Sequence, residues 1–152
     1  VSRARKKGLR KKNVESLVHF TVGDALSLPF PDETFTCVSS AWGLRNLPDL
    51  ERSLKEMMRV LRRGGRVISL ESMALERGVL RPLFRGFFHH VVPFMGQLIA
   101  RDRMAYTYLP KSVDKFLTAS SLAIKLERAG LVDVGYRAMG LGAVVVHWGK
   151  KP

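Results

Sequence analysis

Arg45 and Asn46 lie in the run Trp42-Gly43-Leu44-Arg45-Asn46, directly after a short apolar stretch and just before Asp49, a helix-capping residue type. An arginine so placed can bind a ligand carboxylate, hold a ligand oxygen, or pair with an acid on a neighbouring strand end, for which Glu71 is the candidate. Asp24 follows Val18-His19-Phe20-Thr21-Val22-Gly23 and precedes Ala25. Its carboxylate can accept from an exocyclic amine or a ribose hydroxyl, or it can cap its own turn. Ala41 and Gly43 are small enough for a flat ligand to approach the backbone. His89 and His90 are candidates for a general base, since an unperturbed imidazole titrates at about 6.5. Being adjacent, they point to different sides of a helix, and with no HExxH spacing they do not read as metal ligands. Asp102, Tyr106 and Tyr108 are placed to line a pocket under the apolar segment that precedes them.

These residues need a scaffold, and the hydrophobic periods supply one. Val18 to Val22 alternates and is β-rich, so it reads as a strand closed by Gly23-Asp24. Leu28-Pro29-Phe30-Pro31-Asp32 is loop, because two prolines two residues apart exclude both regular structures. Phe35 to Trp42 is a second strand, apolar enough at Cys37, Val38 and Ala41 to be buried. Asp49 then opens a helix whose stripe is Leu50, Leu54, Met57, Met58 and Leu61, with Gly64 as its left-handed stop. A third strand covers Arg66 to Leu70. Ser120 to Ala129 is a helix opened by Thr118 or a neighbouring serine and stopped by Gly130. Val132 to Met139 and Ala143 to Trp148 form two strands joined at Gly140-Leu141-Gly142, a connection short enough to make them antiparallel.

Val79 to Ala100 is apolar but carries Arg81, Arg85, His89 and His90 and is interrupted by Pro82, Pro93 and Gly96. It is not a membrane span, which needs roughly 20 predominantly apolar residues. It reads as short helices covering a pocket, as a surface-seeking element, or as plain core. The 152 residues, 46% hydrophobic, make one domain or part of one. One cysteine, Cys37, excludes an internal disulfide or a cysteine-based zinc site.

The net charge is +13, from 26 basic and 13 acidic residues, and seven of the bases fall between Arg3 and Lys12. The remaining 19 bases still exceed the 13 acids, so the body is basic as well as the arm. Such an excess points to nucleic acid, anionic headgroups or acidic substrates, or simply to a solvated face. The arm has no aromatic residue to stack on a base, which argues against nucleic acid.

Gly23-Asp24-Ala25 with Leu28-Pro29-Phe30, the run Trp42-Gly43-Leu44-Arg45-Asn46, and Arg59-Val60-Leu61 with Gly64-Gly65, Val67, Leu70 and Glu71 together resemble the ubiquinone/menaquinone biosynthesis C-methyltransferases. Those are class I enzymes dependent on S-adenosylmethionine. Val92-Pro93, Gly96, Ile99-Ala100, Asp102, Tyr106, Tyr108-Leu109 and Ser112 extend the likeness over almost the whole chain. Arg62, Arg63, Met73, Trp42 and Leu117 depart from the family pattern.

The resemblance implies an α/β fold: an incomplete class I methyltransferase (Rossmann-like) sheet with a C-terminal antiparallel strand pair. Residues 1–152 then form a single partial domain that lacks the N-terminal strand and its glycine-rich loop, and the 152 residues alone neither bind the cofactor tightly nor turn over. The implied function is methylation of a ring carbon of a demethylated polyprenyl quinol. The cofactor is S-adenosylmethionine, with Asp24, Ala25 and Ala41 beside it. Arg45, His89 and His90 are the implied catalytic residues, and Asn46, Tyr106 and Tyr108 face the quinol. A lipid substrate places the protein in the cytoplasm or at the membrane periphery, held by charge. The alternatives are a methyltransferase for another lipid or small molecule, and a basic remnant of the fold that binds nucleic acid.

Overall fold

The computed structural model describes residues 18–73, 86, 112–114 and 116–152. A four-stranded mixed sheet organises them. Strand β1 is Phe35–Ala41, helix α1 Leu50–Val60, β2 Leu61–Ser72, α2 Ala119–Arg128, β3 Val132–Met139 and β4 Val144–Lys150. The strand order is β1-β2-β4-β3. β1 and β2 are parallel, with Ala41 opposite Leu70, and β4 runs antiparallel to both β2 and β3. A parallel β1–β2 pair needs a crossover, and α1 supplies it.

Alternation decides which face is covered. Val67, Ser69, Glu71, Val145 and His147 are buried, and they share one face with α1 and α2 above them. Leu54 and Met57 of α1 meet Leu122 and Leu126 of α2 in that layer, over Val67 and Val145. Ile68 and Trp148, paired on the opposite face, are half-exposed. Asp49 caps α1 as its residue type requires, its side chain accepting from the Arg52 N–H, and Thr118 does the same for α2 through Ser121. The antiparallel β3–β4 pair and its Gly140–Gly142 connection form as the spacing predicts.

Three local expectations are corrected. Val18 to Val22 is not a strand: it makes no ladder with any described residue, and Val22 is 77% exposed. Alternation marks a face but does not provide a partner strand, and here none adjoins it among the described residues. Cys37 and Ala41 are exposed rather than buried, because β1 is the sheet's edge among the described residues and pairs only with β2. Helix α1 ends at Val60, not at Gly64, because Leu61 is already extended and pairs with Phe35. Gly64 does adopt the left-handed conformation, at φ 74°, but inside a bulged stretch of β2. There its N–H donates to the Lys151 carbonyl at 2.9 Å, while the Lys151 N–H donates to that of Gly65 at 2.9 Å, tying the C-terminus to the sheet. The third strand therefore starts earlier and ends later than the predicted Arg66 to Leu70.

Among the described residues no helix is long and apolar enough to cross a membrane.

Candidate functional site

The carboxyl ends of β1 and β2 form a rim, and the chain turns there in a strained way. Trp42 leaves β1 with φ 53°, a left-handed backbone on a bulky residue. Strain of this kind costs on the order of 1–3 kcal/mol and persists only where neighbours over-determine it. Here they do. The Trp42 N–H donates to the Leu70 carbonyl at 2.8 Å, its indole Nε1 to Ser72 Oγ at 3.1 Å, and its carbonyl accepts from Asn46 Nδ2 at 2.9 Å. Gly43 allows the close return of the chain, since a Cβ there would lie 2.8 Å from Ser40 Oγ. A single 3-10 turn, Leu44–Asn46, follows.

Glu71 anchors that turn from below. It is 0% exposed, and its two oxygens are divided: Oε1 accepts from the Leu44 N–H at 2.8 Å and Oε2 from Arg45 Nη1 at 2.8 Å. The Arg45 side chain is itself only 8% exposed, and its Nε, though buried, has no hydrogen-bond partner among the described residues. Of the three roles the sequence left open for Arg45, the pairing with Glu71 is therefore formed. It leaves a guanidinium with donor capacity to spare at the sheet's rim.

A second loop reaches the same rim. Asp24 caps its own turn, with Oδ1 accepting from the Leu26 N–H at 2.9 Å and the Asp24 carbonyl from the Ser27 N–H at 3.1 Å. The other carboxylate oxygen has no partner among the described residues. Arg52, on the first turn of α1, donates from Nε to the Leu26 carbonyl at 2.9 Å. Because α1 starts at the rim, that bond puts the Asp24–Ser27 turn at the same end of the sheet as Ala41.

Further along α1, Glu56 Oε2 accepts from the Leu28 N–H at 2.8 Å, and Arg59 donates to the carbonyls of Leu28 and Phe30 and to Asp32 Oδ1. Glu56 and Arg59 also bond one another at 2.9 Å. The Arg59 bond, ahead of the Leu28 N–H, holds the Glu56 carboxyl down at about 2. Residues 52, 56 and 59 lie on one flank of the helix, so a ladder of charges grips a loop that proline prevents from pairing as strand. Reading the sequence for site residues missed this ladder. The signal was present in the three-residue Glu56–Arg59 spacing, but its targets are backbone atoms distant in sequence, which no spacing reveals.

Of the expected site residues, the structure brings Arg45, Asn46, Asp24, Ala25 and Ala41 to one end of the sheet. His89, His90, Tyr106, Tyr108, Asp102 and the apolar segment Val79 to Ala100 lie outside the described residues, Gly86 excepted. The rim's chemistry fits part of a nucleoside cofactor: an exposed carboxylate with one uncommitted oxygen, and the small residues Ala25, Ala41 and Gly43 that leave the strand end open. Among the described residues no group of three His, Cys, Asp or Glu could hold a metal ion.

The model of the ubiE/COQ5 methyltransferase family matches residues 1–151. Among curated relatives, the chain is 42% identical over 135 residues to the demethylmenaquinone methyltransferase of Lysinibacillus sphaericus, covering 89% of this chain and 56% of that protein. It is 40% identical over 144 residues to the enzyme of the same name from Thermus thermophilus, covering 94% and 65%. It is 35% identical over 147 residues to the ubiquinone/menaquinone biosynthesis C-methyltransferase of Rickettsia rickettsii, covering 97% and 59%. The chain thus spans about 56–65% of the length of these relatives.

Among solved structures, a SAM-dependent methyltransferase of Thermotoga maritima superposes with a TM-score of 0.66 at 21% identity, covering 99% of this chain and 68% of that one. The [4+2]-cyclase SpnF gives 0.66 at 17% identity, covering 99% and 60%. Likeness at this level shows the fold, a partial class I methyltransferase sheet. That a cyclase shares it shows that the fold leaves the chemistry to the site.

Proposed function

This chain belongs to the ubiE/COQ5 methyltransferase family, and from that premise we propose that it serves the S-adenosylmethionine-dependent C-methylation of a demethylated polyprenyl quinol. Residues 1–152 are read as one partial domain of that enzyme. When bound, the cofactor supplies an electrophilic methyl group on a sulfonium. Asp24 and Ala25 hold its adenosine end, with Ala41 beside it. Everything else falls to the protein: to orient a ring carbon, exclude water and support the negative charge that develops on the quinol oxygen.

The observation that carries the reading is Arg45. A guanidinium offers only donors and no acceptor, so it acts as a stabiliser of the phenolate and not as a base. Glu71 fixes one end of it through Nη1, while the remaining N–H groups of the guanidinium supply donor capacity for the developing oxyanion, directly or through one water. Little reorganisation is then needed during reaction, and the low exposure strengthens each interaction. Asn46 and, from the segment beyond Met73, Tyr106 and Tyr108 face the quinol, and His89 or His90 takes the proton. A lipid substrate and the net charge of +13 fit a protein that works in the cytoplasm or at the membrane periphery, held there by charge.

The test is transfer of labelled methyl to a demethylated polyprenyl quinol by the protein at the full length of its relatives. Methylated quinol is expected from the parent. Arg45→Gln should lower kcat by about a hundredfold, the scale of losing one preorganised oxyanion donor, and leave cofactor affinity within about twofold. Equal losses in kcat and cofactor affinity would sink the role of Arg45. The 152 residues alone should show neither turnover nor micromolar cofactor binding by calorimetry; such binding would overturn that expectation.

A further inference from the structure

The outer seam between α1 and α2 has a chemistry that methylation does not use. Below it the two helices meet through Leu54, Leu122 and Leu126. Above, they part into a groove of about 170 Å³ lined by Glu51, Leu54, Lys55, Lys125, Arg128 and Ala129. Its floor is apolar and its walls carry three cations against one carboxylate. Glu51 is committed: Lys125 Nζ donates to its Oε1 at 2.6 Å, and that bond first, with the field of Lys125 and Lys55, holds the Glu51 carboxyl below the ordinary range. Lys55 and Arg128 have no hydrogen-bonded partner among the described residues. Helix electrostatics explains why each is tolerated, since Lys125 and Arg128 stand at a carboxyl-terminal turn and Lys55 stands four residues after Glu51. It does not account for their convergence on one concavity with positive charge in excess.

We propose that this groove binds the phosphate of an anionic lipid headgroup. Lys55 and Arg128 flank the phosphate, and Lys125 is shared between it and Glu51. Two observations favour a membrane over a soluble phosphate. Ile124, beside Lys125 and one turn before Arg128, is 48% exposed, and an apolar side chain flanked by cations is what the headgroup boundary accommodates. The net charge of +13 adds long-range attraction to an anionic leaflet. The proposal rests on the lipid-quinol reading only for its purpose, which is to hold the rim of the sheet at the surface where such a substrate resides.

The test is co-sedimentation of the chain with vesicles of phosphatidylcholine alone and of phosphatidylcholine with phosphatidylglycerol, free of quinol and cofactor, with inorganic phosphate as a competing arm. Lys55→Gln/Arg128→Gln should lower the partition onto anionic vesicles about tenfold. Arg66→Gln/Arg137→Gln, equal in charge and exposed on strands away from the groove, should change it less than about twofold, and Ile124→Ser should lower it about threefold. Circular dichroism of each variant confirms that it is folded. Equal losses in the two double variants would show diffuse charge attraction and overturn the proposal, as would no loss in either. Protection by inorganic phosphate without vesicle binding would replace the headgroup with a soluble anion and overturn it too. Because no methyl transfer is read, these results stand or fall apart from the catalytic reading.

Discussion

Two loops meet at the same rim and are held by opposite means. The Leu44–Asn46 turn rests on one fully buried carboxylate, Glu71, which spends both oxygens on it. The stretch from Asp24 to Asp32 rests on Arg52, Glu56 and Arg59, a partly exposed ladder that reads mostly backbone atoms. A buried pair is costly to break because a lone charge is left away from water. An exposed ladder is individually weak and screened by salt, but many bonds share the load. The difference indicates which loop is fixed with the fold and which can yield locally. The turn bearing the proposed catalytic arginine belongs to the first kind, and the turn proposed to hold adenosine to the second.

The buried anchor should fail most visibly when Glu71 is removed. Glu71→Ala should cost about 3–5 kcal/mol, the range for removing one partner of a buried ion pair, read as a lower midpoint in chemical denaturation. A loss under about 1 kcal/mol would mean that Arg45 simply turns to solvent.

His147 tests whether buried polar anchoring is general on this face of the sheet. Its Nε2 donates to the Ala119 carbonyl at 2.9 Å, its ring stacks on Tyr136, and burial pushes its pKa below the ordinary value, with the Ala119 bond opposing. The unfolded chain therefore takes up a proton on acidification before the folded one does. The stability it contributes should be complete above about pH 6.5 and be lost progressively as pH falls through the lowered folded value. Thermal midpoints between pH 8 and pH 5 should show that slope, and His147→Gln should flatten it; an unchanged slope would reject the assignment.

The smallest global effect is expected at the ladder. Arg59→Ala should leave the denaturation midpoint nearly unchanged while speeding amide exchange at Leu28 by about tenfold or more, as for a local opening. With the Glu56 carboxyl held at about 2, protection of Leu28 should survive acidification from pH 7 to pH 4 and weaken only as pH falls toward 2. High salt should erode it. Loss of protection by pH 4 would contradict the ladder.

Much of this architecture is legible in the sequence, for identifiable reasons. Helix α1 with its Asp49 cap, α2 with Thr118 and Gly130, and the β3–β4 pair are local patterns, and local patterns carry their own evidence. The run from Trp42 to Asn46 with Glu71 was legible as chemistry too, although whether Arg45 paired with Glu71 depended on contacts 26 residues apart in sequence. Val18 to Val22 failed because alternation cannot name a partner strand. Gly64 was read as a helix stop because a left-handed glycine is required both there and in a bulge, and only the pairing of Leu61 with Phe35 separates the two. The Arg59 ladder was invisible because backbone carbonyls have no sequence signature.

Arg45 and Glu71 act as one unit at the rim. A double-mutant cycle measures it directly: Arg45→Gln, Glu71→Gln and the pair, by chemical denaturation. A coupling energy of about 2 kcal/mol or more, of the size found for residues within one buried network, is the predicted result. Additive losses, within about 0.5 kcal/mol, would show that the buried pair does not hold the rim.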